Sequence, residues 1–158
     1  MENDFTVRLA TPEDADFLAD VRVRQLLDEG SEMIYDTRGQ MADFFRRKIS
    51  DGSYMQFILE KDGAFVSTAG VMFQEYPPSI SWKGALRGYV SSVYTVPEHR
   101  KRGYASCLIK LIIEEARRRD LGNLWLMSSK DGIDTYRKLG FDDRRPGSDV
   151  YMAWTGDR

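Results

Sequence analysis

Three basic side chains, Arg100, Lys101 and Arg102, run directly into Gly103, Tyr104, Ala105 and Ser106. A stretch with the pattern of an amphipathic helix follows. Such a segment admits three chemistries: a basic patch for nucleic acid, a solvated turn, or a seat for a phosphate on a helix N-terminus. The third has its basis in the backbone. The first turn of a helix leaves N–H groups without an intrahelical acceptor, at the positive end of the helix dipole. Gly103 can take backbone angles that larger residues resist, and Ala105 lets an anion come close. The three cations add longer-range attraction, so a diphosphate suits the loop. Neither a G-x-x-x-x-G-K-S/T loop nor the three glycines of a dinucleotide fingerprint is present. As a bare pattern, R-x-x-G-x-A leaves the solvated turn open.

Composition narrows the choice. The chain has 158 residues, 42% of them hydrophobic, and a net charge of -2. One compact domain over residues 1–158 is expected. An acidic whole disfavours bulk nucleic-acid binding. Cys107 and His99 are the single cysteine and the single histidine. They can form neither an intramolecular disulfide nor a metal-ligand cluster. His99, in the turn "PEHR", reads as a surface turn residue rather than a base. The start, "MENDFTVRLA", has no basic and then apolar leader pattern. No apolar run approaches the roughly 18 residues of a membrane span. The expectation is a soluble cytoplasmic domain with no membrane, metal or nucleic-acid partner.

The elements that must position the loop follow from periodicity. "FTVRLA" alternates as a strand. "TPEDA" opens a helix with Thr11 as cap, Pro12 in the first turn and Asp14 on free N–H groups. That helix is expected to run to Glu29 and stop at Gly30. "SEMIYDTRGQ" reads as a loop and "MADFFRRKI" as a short helix. "YMQFILEKDGAFVSTAGVMFQEYPP" reads as two strands about a turn at "KDG". After a loop over 79–86, "LRGYVSSVYTV" is a long strand. Ala105, Leu108, Ile109, Ile112 and Ala116 form one buried helical stripe, with Glu114–Arg118 and Glu115–Arg119 pairs on the other face. "NLWLMSS" is a strand, "DGIDTYRKLG" a short helix, and "FDDR" and "DVYMAW" are closing strands. The strand–helix–strand unit around the basic loop implies two parallel strands.

In that context the loop resembles motif A of the GNAT family of acetyl-CoA-dependent N-acetyltransferases, Q/R-x-x-G-x-G/A, with Arg100, Gly103 and Ala105 at the fixed places. "VYTVPEHR" is similar to the family's strand and Pro-containing turn. "TYRKLGF", with Tyr136, Gly140 and Phe141, resembles a second family segment, and "VRLATPEDA" resembles the family start. The resemblance implies an α/β (α+β) fold: a mixed, mostly antiparallel sheet of about seven strands, flanked by helices and split at the motif A strand. It implies acetyl-CoA as co-substrate. The diphosphate would lie on the N–H groups of Lys101, Arg102, Gly103, Tyr104, Ala105 and Ser106. The pantetheine would pair with Val93, Tyr94 and Thr95, and Ser129 would make a weaker contact where many relatives have asparagine. Tyr136 would protonate the departing thiolate. A thiol near pKa 8.5 and a tyrosine near 10 allow that transfer. Transfer is direct, so Cys107 reads as a packing residue.

The resemblance leaves the base and the acceptor open. Some relatives carry a glutamate where this chain has Tyr89, and no acidic residue lies between Leu86 and Pro97. Glu75 is the best acidic candidate. The acceptor is expected between the first two helices, beside Asp28, Glu29, Glu32 and Asp36, or against Tyr76 and Trp82 in 76–86. Acid and aromatic groups there would suit a cationic amine. The leading expectation is a small-molecule amine acetyltransferase, and the family often forms homodimers. A protein N-terminal or lysine acetyltransferase and a non-catalytic acyl-CoA-binding regulatory domain are the alternatives.

Overall fold

The computed structural model describes residues 4–80, 82–142, 152 and 154. Among these residues the sheet has five strands in the order β1-β2-β3-β4-β5. β1 (Thr6–Leu9), β2 (Tyr54–Lys61), β3 (Ala64–Glu75) and β4 (Leu86–Thr95) are successive antiparallel neighbours. β5 (Leu124–Trp125) runs parallel to β4, as the strand–helix–strand pattern requires. Asp62 and Gly63 turn β2 into β3 with φ of 51° and 75°, the left-handed pair of a type I′ turn. The count is five against the expected seven. "NLWLMSS" supplies only Leu124–Trp125, and Phe141 and Asp142 lie in no strand. The rest of the two closing segments lies almost wholly outside the described residues.

Among the described residues four α-helices flank the sheet: α1 (Ala15–Asp28), α2 (Arg38–Ser50), α3 (Tyr104–Arg118) and α4 (Ile133–Lys138). A 3-10 turn, Pro12–Asp14, leads into α1. Asp14 accepts the Thr11 N–H at 2.8 Å, and Arg8 clamps it with bonds of 2.8 and 2.9 Å. The guanidinium holds that carboxyl at about 2. α2 begins three residues before the expected Met41. Asp36 Oδ1 accepts the Arg38 N–H at 3.3 Å and the Thr37 carbonyl accepts Met41 N–H at 2.9 Å. Those local polar contacts start the helix ahead of its apolar periodicity.

Alternation divides the sheet residues between two faces. Leu59, Val71 and Val90 face α3 and pack on Leu108, Ile109 and Ile112. Tyr54, Ile58 and Met72 face α1 and α2 and pack on Leu18 and Phe45. Glu115 departs from the expected solvated pair. It is only 7% exposed and takes both Arg118 and Arg119. Arg119 in turn covers the Phe73 ring at 3.9 Å. The buried stripe of α3 therefore carries a carboxylate that two cations neutralise, and Glu114 does not share in it.

The sheet has one irregularity that matters for function. Thr68 faces Tyr94 and Gly70 faces Ser91, so Ala69 lies opposite two residues, Ser92 and Val93. This is a β-bulge, and Ser92 has φ of 55°. Beside it, the buried Tyr54 hydroxyl donates to Gln56 Oε1 at 2.7 Å, Gln56 Nε2 donates to Thr68 Oγ1 at 2.7 Å, and Thr68 donates to the Phe57 carbonyl at 2.7 Å. Gly70 makes room for the ring. A methyl group there would overlap the Tyr54 hydroxyl and lie 2.7 Å from its Cζ and 3.3 Å from the Ser91 carbonyl.

Two outcomes follow for the bulge support. Gly70→Ala should cost about 1–3 kcal/mol through overpacking. Tyr54→Phe should cost about 1–3 kcal/mol by leaving Gln56 Oε1 without its donor. The double variant should cost less than the sum, because the methyl then meets one atom fewer. Urea denaturation of the three variants checks this. Burial also raises the Tyr54 phenol to about 12, partly opposed by the Ser92 and Ser91 hydroxyls. The folded state thus keeps a proton that the unfolded chain loses near pH 10. That stabilisation is complete below pH 10 and is lost as pH rises towards 12. The alkaline loss should be shallower in Tyr54→Phe, read as melting temperature against pH.

Candidate active site

The basic loop folds as a helix N-terminus. Gly103 caps α3 with φ of 82° and ψ of 5°, and Lys101 is also left-handed at φ 60°. The first intrahelical bond runs from Cys107 N–H to the Gly103 carbonyl at 3.0 Å. The N–H groups of Tyr104, Ala105 and Ser106 precede it and have no acceptor in the helix. Left-handed residues alternating with others make a concave array of N–H groups that suits an anion. A Cβ at Gly103 would meet no atom within 4 Å. Glycine is required there by its backbone angle, and the space above it is open. Lys101, Arg102 and Gly103 are exposed.

Two neighbours of the loop differ from expectation. Arg100 is committed to its own chain. Its Nε donates to the Thr95 carbonyl at 3.0 Å, its Nη2 lies 3.7 Å from Asp28 Oδ2, and its guanidinium stands 5.7 Å over the Tyr94 ring. His99 is half-buried rather than a solvated turn residue, with its ring 6.2 Å from Tyr104 and its Nδ1 buried without a partner. Cys107 is a half-buried free thiol on the same helix.

β4 presents an open edge beside the loop. β5 pairs with it only at Gly88 and Tyr89. From Val90 to Thr95 the edge away from β3 has no strand partner among the described residues, which is the expected split. The carbonyls of the three predicted pantetheine positions already accept bonds. Val93 receives Gln25 Nε2 at 3.2 Å, Tyr94 receives Ser67 Oγ at 3.0 Å, and Thr95 receives Arg100. Gln25 is 5% exposed and also takes Arg22 Nη1 at 3.0 Å and gives to Glu29 Oε1 at 3.0 Å. The Tyr94 side chain points at α1, where its hydroxyl donates to Asp28 Oδ2 at 2.6 Å. Burial first, and that carboxylate second, raise its phenol.

Tyr136 and Ser129 both lie beside Gly132. A Cβ on Gly132 would meet Tyr136 Cε2 at 2.9 Å, Ser128 Oγ at 3.1 Å and Ser129 Oγ at 3.5 Å. The Tyr136 ring also packs edge-on to Phe141 at 5.9 Å. Burial, aided by the charge of Glu29, pushes the Tyr136 phenol up to about 12. It is therefore a neutral O–H at physiological pH.

On the α1–α2 face a cavity of about 420 Å³ ends against Tyr89, Ser91 and Ser92 of β4. Arg22, Phe44, Phe45 and Tyr54 line it, and no carboxylate does among the described residues. Of the walls expected from sequence, the loop between the first two helices lines a cavity of its own, which shares Thr37 and Met41 with the first. Asp28 holds Tyr94, and Glu29 accepts from Gln25. Glu32 and Asp36 border a second cavity of about 510 Å³, together with Met33, Ile34 and Tyr35. Arg87 covers the rings of Tyr76 and Trp82 at 5.0 and 5.6 Å. Glu75 alternates onto the Phe73 side of β3, facing α3 and away from the cavity. Gln25, Tyr54, Ser91, Ser92 and Arg22 were not singled out from sequence. Their signal is a polar residue inside an apolar periodicity, which has no meaning until the partner strand is known.

Among the described residues no group of three His, Cys, Asp or Glu could hold a metal ion. None of their helices is long and apolar enough to cross a membrane.

Known structures share this architecture. A predicted acetyltransferase from Clostridium acetobutylicum, solved with acetyl-CoA, is 29% identical, with a TM-score of 0.86 over 93% of this chain and 96% of that one. A GCN5-related N-acetyltransferase from Ralstonia eutropha JMP134 shares the fold at 23% identity and a TM-score of 0.84, covering 95% of this chain and 98% of that one. A ribosomal-protein-alanine N-acetyltransferase from Brucella melitensis shares it at 17% identity and a TM-score of 0.66, covering 94% and 99%. Comparison with curated protein sequences gives no match. The family model described as "Acetyltransferase (GNAT) family" matches residues 21–141, which take in the open strand, the basic loop and Tyr136 together. The chain belongs to the GNAT acetyltransferase family.

Proposed function

We propose that the protein is an acetyl-CoA-dependent N-acetyltransferase that passes an acetyl group to a primary amine of a small molecule in a ternary complex. The observation that carries this reading is a juxtaposition on β4. Its unpaired stretch, Val90–Thr95, has the free N–H groups of the α3 N-terminus at one end, and a ring-lined cavity reaches its residues Ser91 and Ser92. A cavity of about 420 Å³ is of a size to take a small acceptor.

The co-substrate supplies an activated thioester. The remaining work falls to the chain. The N–H groups of Lys101 to Ser106 hold the diphosphate, with Lys101 and Arg102 as long-range helpers. Arg100 fixes the strand end instead of contacting phosphate. Because the Val93, Tyr94 and Thr95 carbonyls are engaged, the backbone N–H groups of this edge carry the pantetheine and polarise the carbonyl. Tyr136, neutral and desolvated, donates its proton to the thiolate. Ser129 lies beside it. Among the described residues no carboxylate lines the cavity, so the acceptor ammonium releases one proton to water before attack. After attack the nitrogen gives up a second proton through water, which restores the Tyr136 hydroxyl once it has protonated the thiolate.

Acetyl-CoA at about 100 times its Kd should stabilise the fold by about 2.7 kcal/mol, and no rise in melting temperature would remove the co-substrate assignment. Gly103→Val, strained at φ 82°, should raise the acetyl-CoA Kd at least tenfold. Tyr136→Phe should lower kcat by about 100-fold or more with the acetyl-CoA Kd within twofold of the parent. An unchanged kcat excludes Tyr136 from the proton transfer. With a solvent-deprotonated amine, kcat/KM should rise tenfold per pH unit until the acceptor's own pKa, with no earlier inflection from an enzyme base. Free-thiol release across an amine panel measures the rates, and thermal shift and calorimetry measure the acetyl-CoA affinities.

A further inference from the structure

Arg22 gives the acceptor cavity a charge that acetyl transfer itself does not require. It lines the cavity, is half-buried, and has one donor fixed on Gln25 Oε1. Arg8, Arg38, Arg46, Arg100 and Arg119 each lie against an Asp or Glu. Arg22 has no such partner among the described residues. The nearest carboxylate in its network, Glu29, is one amide away through Gln25. A half-buried cation without a counter-charge is costly, and a planar guanidinium with free donors is the preferred receptor for a carboxylate.

The rest of the lining fixes the other half of the ligand. Phe44, Phe45 and Tyr54 pack ring to ring at 5.4 to 6.0 Å, and Met72 and Tyr89 extend the apolar wall. A second ammonium on the acceptor would find Arg22 and no carboxylate. Both the arginine charge and the dry wall favour the neutral form of a bound amine, which is the form that attacks.

We infer that the acceptor is a monoamine bearing a carboxylate on an apolar, ring-sized body, with Arg22 holding the carboxylate. The inference rests on the acetyl-transfer function proposed above. It makes polyamines, aminoglycosides and lysine side chains poor acceptors.

The test uses the full chain with saturating CoA. Calorimetry compares L-phenylalanine, L-tryptophan and 4-(aminomethyl)benzoate with their carboxylate-free counterparts phenethylamine, tryptamine and benzylamine, and with spermidine. Thiol release from acetyl-CoA is measured on the same panel. At least one carboxylated amine should bind tenfold or more tighter than its counterpart. Arg22→Met should shrink that ratio to within threefold while the thermal shift with acetyl-CoA is kept. Equal binding of every pair, a preference that survives Arg22→Met, or tighter binding of spermidine overturns the inference. Should Arg22→Met lose its thermal shift, Arg22→Lys takes its place, and its monodentate ammonium should still cut the ratio at least threefold. Arg22-dependent binding without thiol release sustains the carboxylate site and overturns acetyl transfer. Thiol release with no carboxylate preference sustains acetyl transfer and overturns the carboxylate site.

Discussion

One extra residue in β4 sets the geometry of the whole site. At Ser92 the strand holds two residues against one of β3, and a non-glycine residue sits at φ 55°. Left alone, that arrangement is unfavourable, since left-handed angles cost a side-chain-bearing residue about 1 kcal/mol or more. It persists because both sides hold it. On the β3 side, Gly70 lacks a side chain, which lets the Tyr54 ring reach across to the bulge. On the α1 side, Gln25 takes the Val93 carbonyl. The bulge bends the strand where β5 stops, and two openings meet at the bend.

The buried amide of Gln25 is the link between those openings. Its oxygen takes Arg22 from the acceptor cavity, and its nitrogen gives to Val93 on the open strand and to Glu29. Glu29 in turn contributes to the raised phenol of Tyr136. One side chain thus fixes the acceptor-side cation, the strand edge and the carboxylate that bears on the acid. A second brace, the Tyr94–Asp28–Arg100 cluster, ties α1 to the far end of the same strand. Its charges are largely exposed, so its worth lies in geometry more than in ion-pair energy. It also explains why an arginine that occupies a motif position faces inward on its own chain.

Local signals made much of this legible. The alternation of β2 and β3, the Asp62-Gly63 turn and the stripe of α3 are short-range patterns, and each appears where the sequence places it. The left-handed Gly103 also matches. What stayed hidden depends on which residues face each other across the sheet. Nothing in "LRGYVSSVYTV" shows that Ser92 is the extra residue, because a bulge is defined by its partner strand. Glu75 looked suitable from its type and neighbourhood. A period of two sends it to the wrong face. Tyr76 and Trp82 looked like a cation site, and Arg87 of the same chain already covers them.

The electrostatics of the site are asymmetric, and that bears on how a proton can move. On the strand side, burial and Glu29 push the Tyr136 phenol up to about 12, so it stays a neutral O–H, suited to donate a hydrogen bond to an anion and not to act as a base on an ammonium. The cavity lining holds a cation and, among the described residues, no carboxylate. A base placed there would form an ion pair with Arg22 and lose basicity. In the proposed reaction the residues would favour a neutral nucleophile by lowering the stability of its protonated form, with the Tyr136 hydroxyl serving the leaving atom. The same asymmetry ties acceptor charge to chemistry: an anionic group at Arg22 brings the amine in without bringing a second cation.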